Sequence, residues 1–66
     1  STSKSNSTGL MIMGLTAEYE ENLALLQQEL ESIDASSEEG KWLKGLEIKG
    51  LKAKYEKTLA YLQKDL

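Results

Sequence analysis

One unit is written twice in this chain. Residues 9–30 read GLMIMGLTAEYEENLALLQQEL and residues 45–66 read GLEIKGLKAKYEKTLAYLQKDL, so an ungapped offset of 36 gives 13 identities in 22 positions. The matched pairs are Gly9/Gly45, Leu10/Leu46, Ile12/Ile48, Gly14/Gly50, Leu15/Leu51, Ala17/Ala53, Tyr19/Tyr55, Glu20/Glu56, Leu23/Leu59, Ala24/Ala60, Leu26/Leu62, Gln27/Gln63 and Leu30/Leu66. A match this dense is an internal duplication. It constrains the fold because whatever one copy forms, the other is built to form as well.

From Ile12 onward the apolar residues recur at Ile12, Leu15, Tyr19, Leu23, Leu26, Leu30 and, just past copy one, Ile33. Copy two repeats the spacing at Ile48, Leu51, Tyr55, Leu59, Leu62 and Leu66. Steps of three and four make an amphipathic helix with coiled-coil-like spacing. No Gly or Pro lies between Leu15 and Ser32, where Leu, Glu, Gln and Ala dominate, all strong helix formers. The pattern predicts helices over about 15–33 and 51–64.

The stripe lapses at Asp34-Ala35-Ser36-Ser37-Glu38-Glu39-Gly40. Ser36 with Glu39 three residues later fits a capping box, which starts the second helix near Ser37. So short a connection predicts antiparallel neighbours. The alternative is one unbroken rod, since 36 residues are ten turns at 3.6 per turn and both copies would then face the same way. Residues 36–40 would make a poor helix interior. The start of each copy is ambiguous too: Leu-x-Ile-x-Gly-Leu alternates with period two and could be a short strand, giving a β-α-β-α duplicate. The helical reading is favoured because Ile12 and Ile48 also fit the helical stripe.

Ser1 to Thr8 contain no apolar residue and read as a disordered tail or expression remnant. That leaves residues 9–66 as a single helical domain: copy one over 9–30, a connector over 31–44 and copy two over 45–66. A domain this small is marginal alone. With no cysteine and no histidine, disulfides are impossible and a metal would have only carboxylates to bind. Association is the remaining route to a sufficient core. The expected fold is therefore an all-α helical hairpin that associates, a dimer being favoured, as a four-helix bundle. The thirteen stripe residues named above serve as core and oligomer interface.

Charge separates the copies. Residues 15–39 hold Glu18, Glu20, Glu21, Glu29, Glu31, Asp34, Glu38 and Glu39 with no lysine; residues 40–66 hold Lys41, Lys44, Lys49, Lys52, Lys54, Lys57 and Lys64 against Glu47, Glu56 and Asp65. Side by side, the halves bring Glu near Lys along the edges of the seam, which sets partner choice and orientation more than stability.

These residues exclude most chemistry. Histidine and cysteine, the usual acid–base and nucleophilic groups, are missing. Glu18, Glu20, Glu21 and Glu29 lie off the stripe on a solvated face, and neither Gly9–Gly14 nor Gly45–Gly50 completes a phosphate loop. No catalytic residue, cofactor site or metal site is expected. Tyr19 and Tyr55 read as core with hydroxyls at the rim. Trp42 has no counterpart in copy one; with Leu46, Ala53 and Ala60 it lies opposite the main stripe, as do Leu10, Ala17 and Ala24 in copy one. It either caps the hairpin's own core near the turn or is an anchor for a partner.

The expected function is a non-catalytic self-association or assembly module, mediating oligomerisation or protein–protein interaction. One alternative is a small dimeric nucleic-acid-binding regulator using the Lys-rich second helix; it is weaker because the chain has no arginine, the commonest source of specific base contacts. Another is an inhibitor presenting its acidic helix to a basic protein. No apolar run approaches the ~20 residues that span a bilayer, and without cysteine the redox compartment is unconstrained.

Met11-x-Met13-x-Leu15-Thr16-Ala17-Glu18-Tyr19 resembles the strand-to-first-helix opening of ribbon–helix–helix repressors, with Thr16 as the helix cap. The resemblance implies a strand that reads bases, but Met and Gly stand where basic residues belong. Near Ser36, where a second helix should begin, the chain leads into a copy of the first unit. The family is therefore not assigned.

Overall fold

The computed structural model describes residues 2–64, and side chains from Ser7 onward. Two helices account for nearly all of it: α1, Thr2–Glu31, and α2, Glu38–Gln63. They pack along their length as an antiparallel helical hairpin. No strand occurs among the described residues, so the β-α-β-α alternative is excluded, as is a single rod. The strand-like openings at 10–13 and 46–49 are helical. Their period-two pattern is too short to compete with the 3.6-residue stripe that continues through Ile12 and Ile48.

α1 is longer than the stripe predicts and runs through the polar stretch expected as a tail. Ser, Thr and Asn each cost a helix less than about 0.7 kcal/mol relative to Ala, and no proline intervenes. Once the downstream turns exist, adding residues to the end is inexpensive.

The connection is built from local hydrogen bonds. The Ser32 N–H donates to both Gln28 O and Glu29 O at 3.2 Å, and the Ile33 N–H donates to Leu30 O at 3.2 Å, tightening the last turn. The Asp34 carboxylate then accepts from the Ser36 N–H and the Ser36 hydroxyl, both at 3.0 Å, an Asx-type turn. The Ser36 amide and hydroxyl hold the Asp34 carboxyl below its ordinary pKa. With Ser36 engaged there, the cap falls one residue later than the capping-box pattern predicts. The Ser37 hydroxyl accepts from the Gly40 N–H at 3.3 Å, and Glu38 and Glu39 occupy the first turn, where carboxylates favour the helix dipole.

Gly40 is required by close approach. A Cβ there would lie 2.8 Å from the Ser37 hydroxyl oxygen and 3.2 Å from Ile33. At Gly14 and Gly50 a Cβ would meet nothing within 4 Å. Gly14→Ala and Gly50→Ala are therefore expected to raise the thermal stability of the hairpin by up to ~1 kcal/mol each. Gly40→Ala is expected to lose that gain by displacing the Ser37 cap, worth about 1 kcal/mol. Melting of the three variants by circular dichroism checks the contrast.

The hairpin is long and thin, with extents of 55 × 16 × 7 Å and a radius of gyration of 15.7 Å; a compact domain of this length has about 11 Å. Its surface is 5149 Å², against roughly 4,200 Å² for a folded monomer of 7.3 kDa. Leu62, 8% exposed, is the one hydrophobic residue buried among those described.

Candidate functional site: an open apolar seam

The first stripe, Ile12, Leu15, Tyr19, Leu23, Leu26, Leu30 and, in the connector, Ile33, is half-buried against α2. Ile48, Leu51, Tyr55 and Leu59 face back, equally half-buried, and Leu62 closes the seam toward the open end. Leu66 lies outside the described residues. The burial follows directly from the spacing: positions three and four apart share one face, and two such faces meet.

The register is fixed by one aromatic pair and one ion pair. The rings of Tyr19 and Tyr55, equivalent residues of the two copies, stack with centroids 4.1 Å apart and an interplanar angle of 11°. The Tyr55 hydroxyl is 2.9 Å from the Thr16 hydroxyl. That bond has no twin around Tyr19, because copy two carries Lys52 where copy one has Thr16. Thr16 thus lies mid-helix and bridges to α2, correcting its reading as a helix cap.

Toward the turn, Lys44 Nζ lies 2.8 Å from Glu29 Oε1 on α1 and 2.9 Å from Glu47 Oε2 on its own helix. Its side chain is 18% exposed, and its pKa is raised, first by the Glu29 hydrogen bond and then by Glu47. This is the only interhelical ion pair among the described residues. The expected row of Glu–Lys pairs along the seam is otherwise absent within one hairpin, because most charges point outward.

Beside the tyrosine stack the seam stays open. A shallow groove of about 110 Å³ is lined by Leu15, Tyr19 and Asn22 of α1 and by Leu51, Tyr55 and Thr58 of α2. Glu18 and Lys54 stand on its opposite walls without pairing. The groove is smaller than the roughly 300–1,000 Å³ that small-molecule sites usually need, but it is continuous with the stripe. Such a concavity suits side chains of another helix.

Trp42 is 64% exposed, so it does not cap the hairpin's own core. Large apolar side chains that stripe spacing alone does not single out are also exposed: Met11 and Met13 on α1, Leu43 and Tyr61 on α2. The asymmetry of the two copies around Thr16 and Lys52 could have suggested the Tyr55 bond from sequence. Among the described residues no group of three metal-binding side chains occurs, and no helix is long and apolar enough to cross a membrane. No protein-family model, curated protein or solved structure matches the chain.

Proposed function

We propose that this hairpin is a non-catalytic self-association module, and that its favoured assembly is a dimer in which two hairpins stack groove to groove as a four-helix bundle. One observation carries this reading: a seam built on a Leu, Ile and Tyr stripe leaves a single hydrophobic residue buried among those described. A second seam laid on the groove covers Leu15, Tyr19, Leu51 and Tyr55, and seats the wall charges Glu18 and Lys54 against their opposites. The surface in excess of a compact monomer is about the ~800 Å² that each partner loses in a specific interface.

Sedimentation equilibrium tests it. The wild-type chain is expected to be dimeric or larger at micromolar concentration. Asn22→Arg, which places a charged side chain in the groove, is expected to weaken that association at least tenfold. A wild-type chain that stays monomeric, or an unaffected variant, would count against the groove. A gel shift at low salt addresses the Lys-rich face: binding at micromolar protein would favour the nucleic-acid reading instead.

A further inference from the structure

The two helices each carry a second apolar face, opposite the seam. On α1 it runs through Leu10, Met13 and Ala17 to Ala24; on α2 it runs through Trp42, Leu46 and Ala53 to Ala60. Leu10 and Met13 are both 68% exposed, and Trp42 and Leu46 are exposed as well. Four of the identities between the copies fall here rather than on the seam: Leu10/Leu46, Gly14/Gly50, Ala17/Ala53 and Ala24/Ala60. Gly14 and Gly50 weaken their helices, yet nothing in the hairpin approaches within 4 Å of where their side chains would be. Small residues with no neighbour, set among exposed Leu, Met and Trp, leave room for another helix backbone.

Charge says which helix. Within this face, the equivalent positions Glu21 and Lys57 have opposite sign. Neither makes an ion pair inside the hairpin. Two α1 outer faces would oppose Glu to Glu, and two α2 outer faces Lys to Lys, each repulsive. An α1 face on an α2 face of another copy matches both the small residues and the charges.

We propose that the outer face of α1 docks on the outer face of α2 in a second copy of this chain, with Trp42 buried at the edge of the contact. This contact is separate from the groove. It is heterologous, because each copy keeps one donor face and one acceptor face, so it propagates into a ring or an open side-by-side array.

Trp42 is the sole tryptophan and reports directly. At rising concentration the wild type is expected to grow beyond a dimer, with a blue shift of Trp42 emission. Ala17→Arg blocks the α1 face and Ala53→Glu blocks the α2 face, both at exposed positions. Each variant alone is expected to keep its helicity by circular dichroism, stop growing and lose the shift. Mixing them leaves one free face of each kind, so an Ala53→Glu chain docks on an Ala17→Arg chain. The mixture is expected to associate beyond either variant alone and to regain part of the shift, because only the Ala17→Arg chain keeps its Trp42 face open. Growth by either variant alone would show a like-on-like contact and overturn the proposal; so would a mixture that restores nothing. A wild type that stops at a dimer with unshifted emission overturns this contact while leaving the groove intact, whereas groove failure shows as monomeric Ala17→Arg and Ala53→Glu chains when each is measured alone.

Discussion

Leu62→Ala is expected to unfold the hairpin under conditions where the wild-type chain is folded. Leu62 is the one buried hydrophobic residue among those described, and truncating a buried leucine costs about 2–5 kcal/mol. A chain of 66 residues has a total stability of only roughly 3–10 kcal/mol. The loss therefore takes most of the margin, and circular dichroism should show collapse of helicity at 25 °C or a midpoint in urea too low to define. Leu26→Ala offers a paired reading. Leu26 is half-buried in one hairpin, so a cost as large as that of Leu62 would mean that a second copy covers it.

The second large effect is expected at the tyrosine stack. Tyr55→Ala removes the ring that lies against Tyr19 and the hydroxyl that meets Thr16; large aromatic truncations cost about 3–5 kcal/mol. Tyr55→Phe keeps the ring and loses only the hydrogen bond, a cost of about 0.5–1.5 kcal/mol. Tyr19→Phe should be near neutral, because the hydroxyl of Tyr19 has no such partner across the seam. Urea denaturation of the three variants gives the order Tyr55→Ala far below Tyr55→Phe, and Tyr55→Phe below Tyr19→Phe. Equal effects of the two Phe substitutions would mean that the Thr16 bond contributes nothing.

Much of this fold was legible in the sequence because two independent signals agreed. The duplication required two like elements, and the three–four spacing from Ile12 to Ile33 required them to be helices. The turn was legible from its small polar residues, though the cap was displaced by one because Asp34 draws Ser36 into its own hydrogen bonds. The N-terminal extent of α1 was not legible: a polar stretch carries no packing signal, and its helicity follows from propagation along an existing helix. The distribution of charge was only half legible. The opposite signs of the copies are plain in sequence, but whether Glu meets Lys across the seam depends on angle around the helix, and among the described residues only Glu29 and Lys44 satisfy it. Trp42 illustrates the same limit, since its place opposite the stripe could be counted, while its exposure needed the position of the turn.

Association and folding are coupled if the seam is completed by a second copy, and that coupling has a direct signature. The measurement is the thermal midpoint of helix unfolding, followed by circular dichroism from low micromolar to millimolar protein. A chain stabilised by its own copies melts higher as concentration rises, because binding to the folded state adds to its stability, and a steady climb is the expected result. A fully helical chain whose midpoint does not move over that range would contradict the self-associating hairpin.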